Sequence, residues 1–324
     1  MPQPARQDVH VDSILTNISV GFMQSAADFV ADKVFPIVPV AKQSNKYFLY
    51  DRSFWYRSEM EKRAPSTESA GGGWALTTDN YSADVWAVHK DIDNQTESNT
   101  DAPLNLRTDA TNWCSLQALL RKDKVWVANY FTTSKWTGDQ TGVAAAPGAN
   151  QFLQFDQSTS DPFKTIELSR IAIKNRTGYY PNTLVMGAQV WSILKNHATL
   201  LDRIKYTQTG IVSMDLLAGA LGLDRVLVAS GVENTANEGA TASYSFIAGK
   251  SMLLVYAAPN PSLMEPSGGY TFSWTGLEGA GAFGNTISTL PAPLIKSERV
   301  ELEMAFDQKL VAADMGVFFA SAIA

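Results

Sequence analysis

Cysteine, histidine and charge are all scarce in this 324-residue chain, and each shortage closes a class of function. The single cysteine, Cys114, leaves no intrachain disulfide and no CxxC pair for zinc, which suits a reducing compartment. The three histidines, His10, His89 and His197, show neither HxxxH nor HExxH spacing. A metal site or a Ser-His-Asp triad is therefore unsupported. Charged residues make up 18% of the chain, against about 25% in an average soluble protein. Either Ser, Thr, Asn and Gln cover the surface instead, or much of that surface is buried against other subunits. Long apolar runs are missing too. Leu216 to Leu223 and Met252 to Ala258 fall far short of the ~18 residues a membrane span needs. The opening MPQPARQDVHVDS holds no apolar signal core, so a soluble intracellular product is expected. A net charge of −6 and a pI near 5.2 argue against affinity for nucleic acid through phosphate neutralisation.

Motifs that carry chemistry are equally thin. Gly249-Lys250-Ser251 looks like the end of a phosphate-binding loop, but the glycine required five positions earlier is Tyr244. The following MLLVYA reads as a strand, so phosphate would meet no helix N-terminus. Asp91, Asp93, Gln95 and Glu97 mimic the start of a calcium loop whose sixth position is Thr96 and whose twelfth is Ala102, where Gly and Glu are needed. Gly276, Gly279 and Gly281 have the wrong spacing for a dinucleotide fingerprint. Asn17, Asn94 and Asn175 head sequons that matter only in a secreted protein. No catalytic residue, cofactor or metal is expected.

What is present is organisation. Ser13, Ile14, Ile18, Phe22 and Met23 predict one helical piece in an N-terminal arm, and a second short apolar pattern runs from Phe29 to Val34. Pro36 and Pro39 then force an extended path from Phe35 to Val40. Lys46 to Tyr50 and Tyr81 to Val88 read as two strands flanking a charged stretch and Gly71-Gly72-Gly73. Such a two-armed ribbon has no core of its own and must lie on something else, or be a disordered surface loop. Leu104 to Phe131 predicts a long helix, with Leu106, Trp113, Leu116, Leu120, Val127 and Tyr130 on one stripe. Residues 132–160 read as a loop. Helices from Asp161-Pro162 to Gly178, Ala188 to Asn196 and Ser213 to Leu221 alternate with strands at Thr183 to Met186, Arg225 to Val228 and Met252 to Ala257. Val300, Leu302, Met304 and Phe306 alternate with Arg299, Glu301, Glu303 and Asp307, a strand with one apolar face. Leu310 to Phe319 is expected to return beside it. Trp113 and Leu120 are expected to face Val300, Leu302 or Met304, so that Trp113→Ala would cost ~3–5 kcal/mol.

Three stretches in this order carry a family resemblance. One is Ala31 to Val40 with the strand Lys46 to Tyr50. Another is the ribbon, its glycine tip, its return strand and Asp101-Ala102-Pro103 before the long helix. A third runs from Asp224-Arg-Val-Leu-Val through Asn234 to Gly239, Leu253 to Tyr256, Pro259 to Pro266 and Tyr270 to Trp274. Together they resemble the major capsid protein of tailed double-stranded-DNA bacteriophages, the Hong Kong 97 type of shell fold. The resemblance implies an α+β chain in four parts. These are an N-terminal arm (1–45), an extended β-ribbon (46–88), a peripheral domain with a spine helix (89–160 and 285–324), and an inserted α/β axial domain (161–284). It also implies a self-assembling icosahedral shell of pentamers and hexamers, found in the virion and assembled in the bacterial host cytoplasm. The shell would enclose double-stranded DNA without sequence-specific binding and without a membrane. A portal and, because no coiled coil precedes residue 45, a separate scaffolding protein complete the expected partners. Subunit contacts are expected at Phe35, Val38 and Val40 of the arm and at Phe54, Trp55, Tyr56, Arg57, Glu59 and Arg63 of the ribbon. The rivals are an encapsulin-like compartment shell, a tail or decoration protein, and a cytosolic α/β enzyme.

Overall fold

Two sheets and one long helix carry the chain. The structure, a computed structural model, describes residues 24–100, 104–204, 213–261, 265–277, 280 and 284–324. The helix expected over Ser13 to Met23, the Asp101-Ala102-Pro103 opening, and half of the Gly276 to Gly281 run, with Gly279 and Gly281, lie outside the described residues.

In chain order the first half contains α1 (Ala31–Val34), β1 (Ile37–Val40), β2 (Ser44–Tyr50), α2 (Arg52–Trp55), β3 (Leu76–Ser82), β4 (Asp84–Asp93), α3 (Asn94–Ser98), α4 (Leu106–Tyr130), β5 (Gln140–Val143) and β6 (Gln151–Leu153). There follow α5 (Pro162–Thr177), β7 (Thr183–Gly187), α6 (Ala188–Leu194), α7 (Ala198–Ile204), α8 (Met214–Leu221), β8 (Arg225–Ala229), β9 (Val232–Asn234), β10 (Tyr244–Phe246), β11 (Met252–Val255), β12 (Gly269–Trp274), β13 (Asn285–Ala292), β14 (Ser297–Leu310) and β15 (Gly316–Ala320). Local signals set many of these ends. Asp161 caps α5 by accepting from Lys164 N at 3.1 Å, and Gly178 closes it at φ +75°. Ser213 and Gly222 do the same for α8.

The first sheet has the order β1-β12-β14-β13, with β4 on the other side of β14. Val300, Leu302, Met304 and Phe306 of β14 all point inward and are buried, as their alternation requires. The helix that covers them does so with small residues. Ala110 meets Val300 and Ile92, while Cys114 and Ala118 pack on Leu302, Met304 and Phe306. Trp113 sits one residue off this face and is 37% exposed, so the expected Trp113 contact is overturned. The sheet already carries the bulk, and a helix face of Ala and Cys lets the backbone approach it closely.

The second sheet has the order β6-β5-β15-β11-β7-β8 and is buried on both faces. Leu184, Met186, Met252, Leu254, Val317 and Phe319 face α5, α6 and α8. Val185, Leu253, Val255 and Phe318 face the other way, toward Trp126 and Phe35. Here the return of Leu310 to Phe319 beside β14 fails: β15 pairs with β11 and β5 instead. Its sequence, Gly-Val-Phe-Phe-Ala, is apolar on both faces and needs a sheet covered on both sides. Strands β5 and β6 lie in residues 132–160, where a loop was expected, and join this sheet, while β12 joins the first. The sheets therefore cross the expected divisions at 160/161 and 284/285.

The segment from Phe29 to Phe35 at the end of the arm is part of the core. Val30, Ala31, Val34 and Phe35 are buried, and the Phe35 ring packs against Trp126, Tyr130 and Trp136 at centroid distances of 6.0, 4.9 and 6.4 Å. Asp123, in the middle of α4, ties this segment down by accepting from Val30 N at 2.9 Å and Ala31 N at 2.8 Å. Burial pushes its carboxyl up to about 6, against the pull of those two N–H groups; Asp32 pushes it further up and Lys33 draws it down. An acid whose folded pKa is raised supports the fold fully below its unfolded value near 4, and that support is lost as pH rises through about 6. Asp123→Asn keeps the acceptor oxygen without the charge. It is therefore expected to lose about 2–3 kcal/mol less than the parent between pH 4 and pH 8, read from urea midpoints of unassembled protein. Parallel curves would refute the role of Asp123.

Candidate functional site: the ribbon and its outward face

The ribbon is shorter and more two-faced than its sequence suggests. Strands β2 and β3 pair antiparallel from Ser44 with Ser82 to Tyr50 with Leu76. Beyond Ala83 the chain leaves the ribbon, and β4 joins β14. Alternation splits the side chains. Tyr47 and Tyr81 turn inward onto Phe272 at 5.2 and 4.6 Å between centroids, and Tyr47 Oη donates to Asp79 at 2.8 Å. Phe48, Tyr50 and Leu76 turn outward and are exposed.

The turn at the ribbon's far end extends this outward face. Asp51 caps α2 by accepting from Ser53 N at 2.9 Å. Trp55 then lies 6.2 Å from Tyr50 and 6.0 Å from Trp74, a row of three rings in which Trp55 is 52% and Trp74 66% exposed. Arg57 covers the Phe54 ring at 5.7 Å and pairs with Glu59 at 3.8 Å. Glu59 crosses to the glycine stretch, where its carboxylate lies against Gly72, so a side chain there would push the Glu59 carboxylate aside. Arg63 is exposed.

The expected contact residues therefore separate. Phe35 is wholly buried in its own subunit, which corrects its assignment to a subunit surface. Val38 and Val40 are half-buried on their own Tyr81, Tyr270 and Phe272, with β1 paired to β12. Neither segment has a local partner for its apolar residues; Phe35 finds Trp126, Tyr130 and Trp136, and Val38 and Val40 find Tyr81, Tyr270 and Phe272, all far along the chain. Tyr56 also turns to its own subunit, donating to Thr177 O at 2.5 Å. Phe54, Trp55, Arg57, Glu59 and Arg63 remain on the projecting turn. Phe48, Tyr50, Trp74 and Leu76 were missed, although period-two reading of Lys46 to Tyr50 could have found the first two.

Elsewhere the chemistry-bearing groups have structural partners. Asp91 is gripped by Arg299 through two bonds of 2.7 and 3.0 Å, and Asp93 caps α3. His197 Nε2 lies 3.0 Å from Ser160 Oγ, an arrangement that invites a nucleophile reading. Ser160 Oγ, however, donates to Gln157 O at 2.7 Å, and Nδ1 of the ring accepts from Thr199. The ring thus donates to the hydroxyl and holds no base toward it. Among the described residues, no three His, Cys, Asp or Glu side chains converge as metal ligands.

No family model matches the chain. It is 26% identical over 268 residues to the major capsid protein of Burkholderia phage BcepMu, covering 81% of this chain and 82% of that one. It is 26% identical over 327 residues to the major capsid protein of Pseudomonas phage JBD67, covering 97% of both. Over most of its length the chain is thus similar to phage major capsid proteins.

Solved structures share the fold. A phage-related protein from Bordetella bronchiseptica superposes with a TM-score of 0.68 at 22% identity, covering 93% of each chain. The capsid of cyanophage P-SCSP1u gives 0.62 at 9% identity, covering 97% of this chain and 93% of that one. The architecture is the α+β Hong Kong 97-type capsid fold. An encapsulin from Synechococcus elongatus shares it at a TM-score of 0.56 and 9% identity, over 95% and 93% of the two chains. That likeness extends to the fold alone, whereas the sequence relatives are phage proteins.

Proposed function

We propose that this chain is a phage major capsid protein that closes into an icosahedral shell of pentamers and hexamers around double-stranded DNA, and that the outward face of the ribbon is a main contact between neighbouring copies. The observation that carries the contact is the row of Tyr50, Trp55 and Trp74, exposed on the face of the ribbon turned away from its own subunit. Apolar patches of this kind on soluble proteins mark interaction sites. Arg57, Glu59 and Arg63 beside the row would choose the register by charge pairing. The six-stranded sheet with α5 to α8 corresponds on this reading to the axial domain around capsomer centres, and the five-stranded sheet with α4 to the peripheral domain. The low charge supports extensive subunit contact, since interface centres are depleted of charge. The net charge of −6 suits a container in which DNA slides without being gripped. A portal and a separate scaffolding protein remain the proposed partners.

Electron microscopy of particles from expressing cells, with an assay for nuclease-protected DNA in phage-infected cells, tests this reading. Closed shells with icosahedral facets are expected, holding DNA only where the phage packaging machinery is present. Shells that instead retain a co-purifying host enzyme and no DNA would favour the encapsulin alternative.

A further inference from the structure

We propose that the ribbon is latched to its own subunit at two points, and that the latch holds the aromatic row outward before any neighbour arrives. The first point is the end of α5. The last carbonyls of a helix have no intrahelical donor. Gly178 N serves Lys174 O, and the Lys174 ammonium reaches Gly178 O. Thr177 O is served by Tyr56 Oη at 2.5 Å, across 121 residues of sequence. Gly178 also makes the space: besides its φ of +75°, a Cβ there would lie 2.6 Å from the Tyr56 hydroxyl.

The second point is Asp314, in the turn before β15. Its Oδ1 accepts from Thr137 Oγ1 at 2.7 Å, which orients the carboxylate, and its Oδ2 lies 2.5 Å from Arg52 Nη2. Arg52 and Tyr56 are four residues apart and so lie on one face of the α2 turn. Trp55 lies about 100° round from Tyr56 and meets Tyr50 and Trp74. One short turn therefore has an anchored side and a presented side. Holding the presented side in place before contact removes part of the ordering cost of assembly. The purpose given to the latch rests on the proposed inter-subunit role of the ribbon; the latch itself does not.

Full-length protein purified before assembly provides the test. Tyr56→Phe and Arg52→Gln, singly and together, are digested with trypsin and cleavage after Lys62 and Arg63 is timed. The double variant is expected to be cut about five- to tenfold faster with an unchanged melting temperature. Asp314→Asn should match Arg52→Gln and add nothing to it. Unchanged cleavage, or full additivity of Asp314→Asn with Arg52→Gln, would overturn the latch. A Trp55→Ala, Trp74→Ala double variant separates the two ideas. If it still closes normal shells while the latch variants open the ribbon, the latch stands and the inter-subunit role falls. If it fails to assemble while cleavage in the latch variants stays unchanged, the reverse holds.

Discussion

Removal of residues 1–40 is expected to give a chain that does not fold, not a soluble capsomer lacking an arm. Phe29, Val30, Val34 and Phe35 are all buried within their own subunit, and Phe35 is 0% exposed. At about 1.5–3 kcal/mol for each buried apolar side chain, these four contribute on the order of 8 kcal/mol, comparable with the whole stability of a typical domain. The deletion also strips β1 from β12 and leaves Asp123 buried without the two backbone N–H groups that satisfy it. A truncation that stops at residue 23 keeps every one of these contacts and should stay folded. Soluble yield, gel filtration and circular dichroism of the two truncations decide the matter. A cooperative melt from the 1–40 deletion would show that the segment is dispensable.

The second large effect separates two tryptophans on the same helix. Trp126 is 0% exposed and packs against Phe35 and Phe131, so Trp126→Ala should cost ~3–5 kcal/mol through the cavity it leaves. Trp113 is 37% exposed and lies off the buried face, so Trp113→Ala should stay within about 1 kcal/mol in unassembled protein. Urea unfolding of both variants reads the difference directly. Equal losses would mean that the buried face of α4 has been misplaced. A loss on assembly alone for Trp113→Ala would instead place that ring between subunits.

On the proposed reading, apolar surface covered by neighbouring copies accounts for the low charge of the chain. The five-stranded sheet and α4 leave Ile287, Leu290, Leu294 and Ile295 exposed, and the ribbon exposes Phe48, Tyr50, Trp55, Trp74 and Leu76. A monomer in dilute solution rarely tolerates this much apolar surface; a shell protein covers it with copies of itself.

The sequence by itself determined those features whose causes are local. The boundaries of α5 and α8 follow from Asp161-Pro162 with Gly178 and from Ser213 with Gly222. The inward face of β14 follows from strict alternation between Val300 and Phe306, and the extended path of β1 from Pro36 and Pro39. The order of these parts was enough to suggest the capsid fold. Only the tertiary structure decided which surfaces cover one another. A periodic pattern says that a face is apolar without naming its partner, so Phe35 looked like an anchor for a neighbour when Trp126, Tyr130 and Trp136 were waiting in its own subunit. On α4 the pattern pointed to the wrong side, because Ala110, Cys114 and Ala118 add little apolar area to a helix read alone. They matter because the sheet beneath them supplies the volume. Strands β5, β6 and β15 found their places for the same reason: backbone hydrogen bonds and burial on both faces of the second sheet hold segments whose own sequences scarcely favour one neighbour over another.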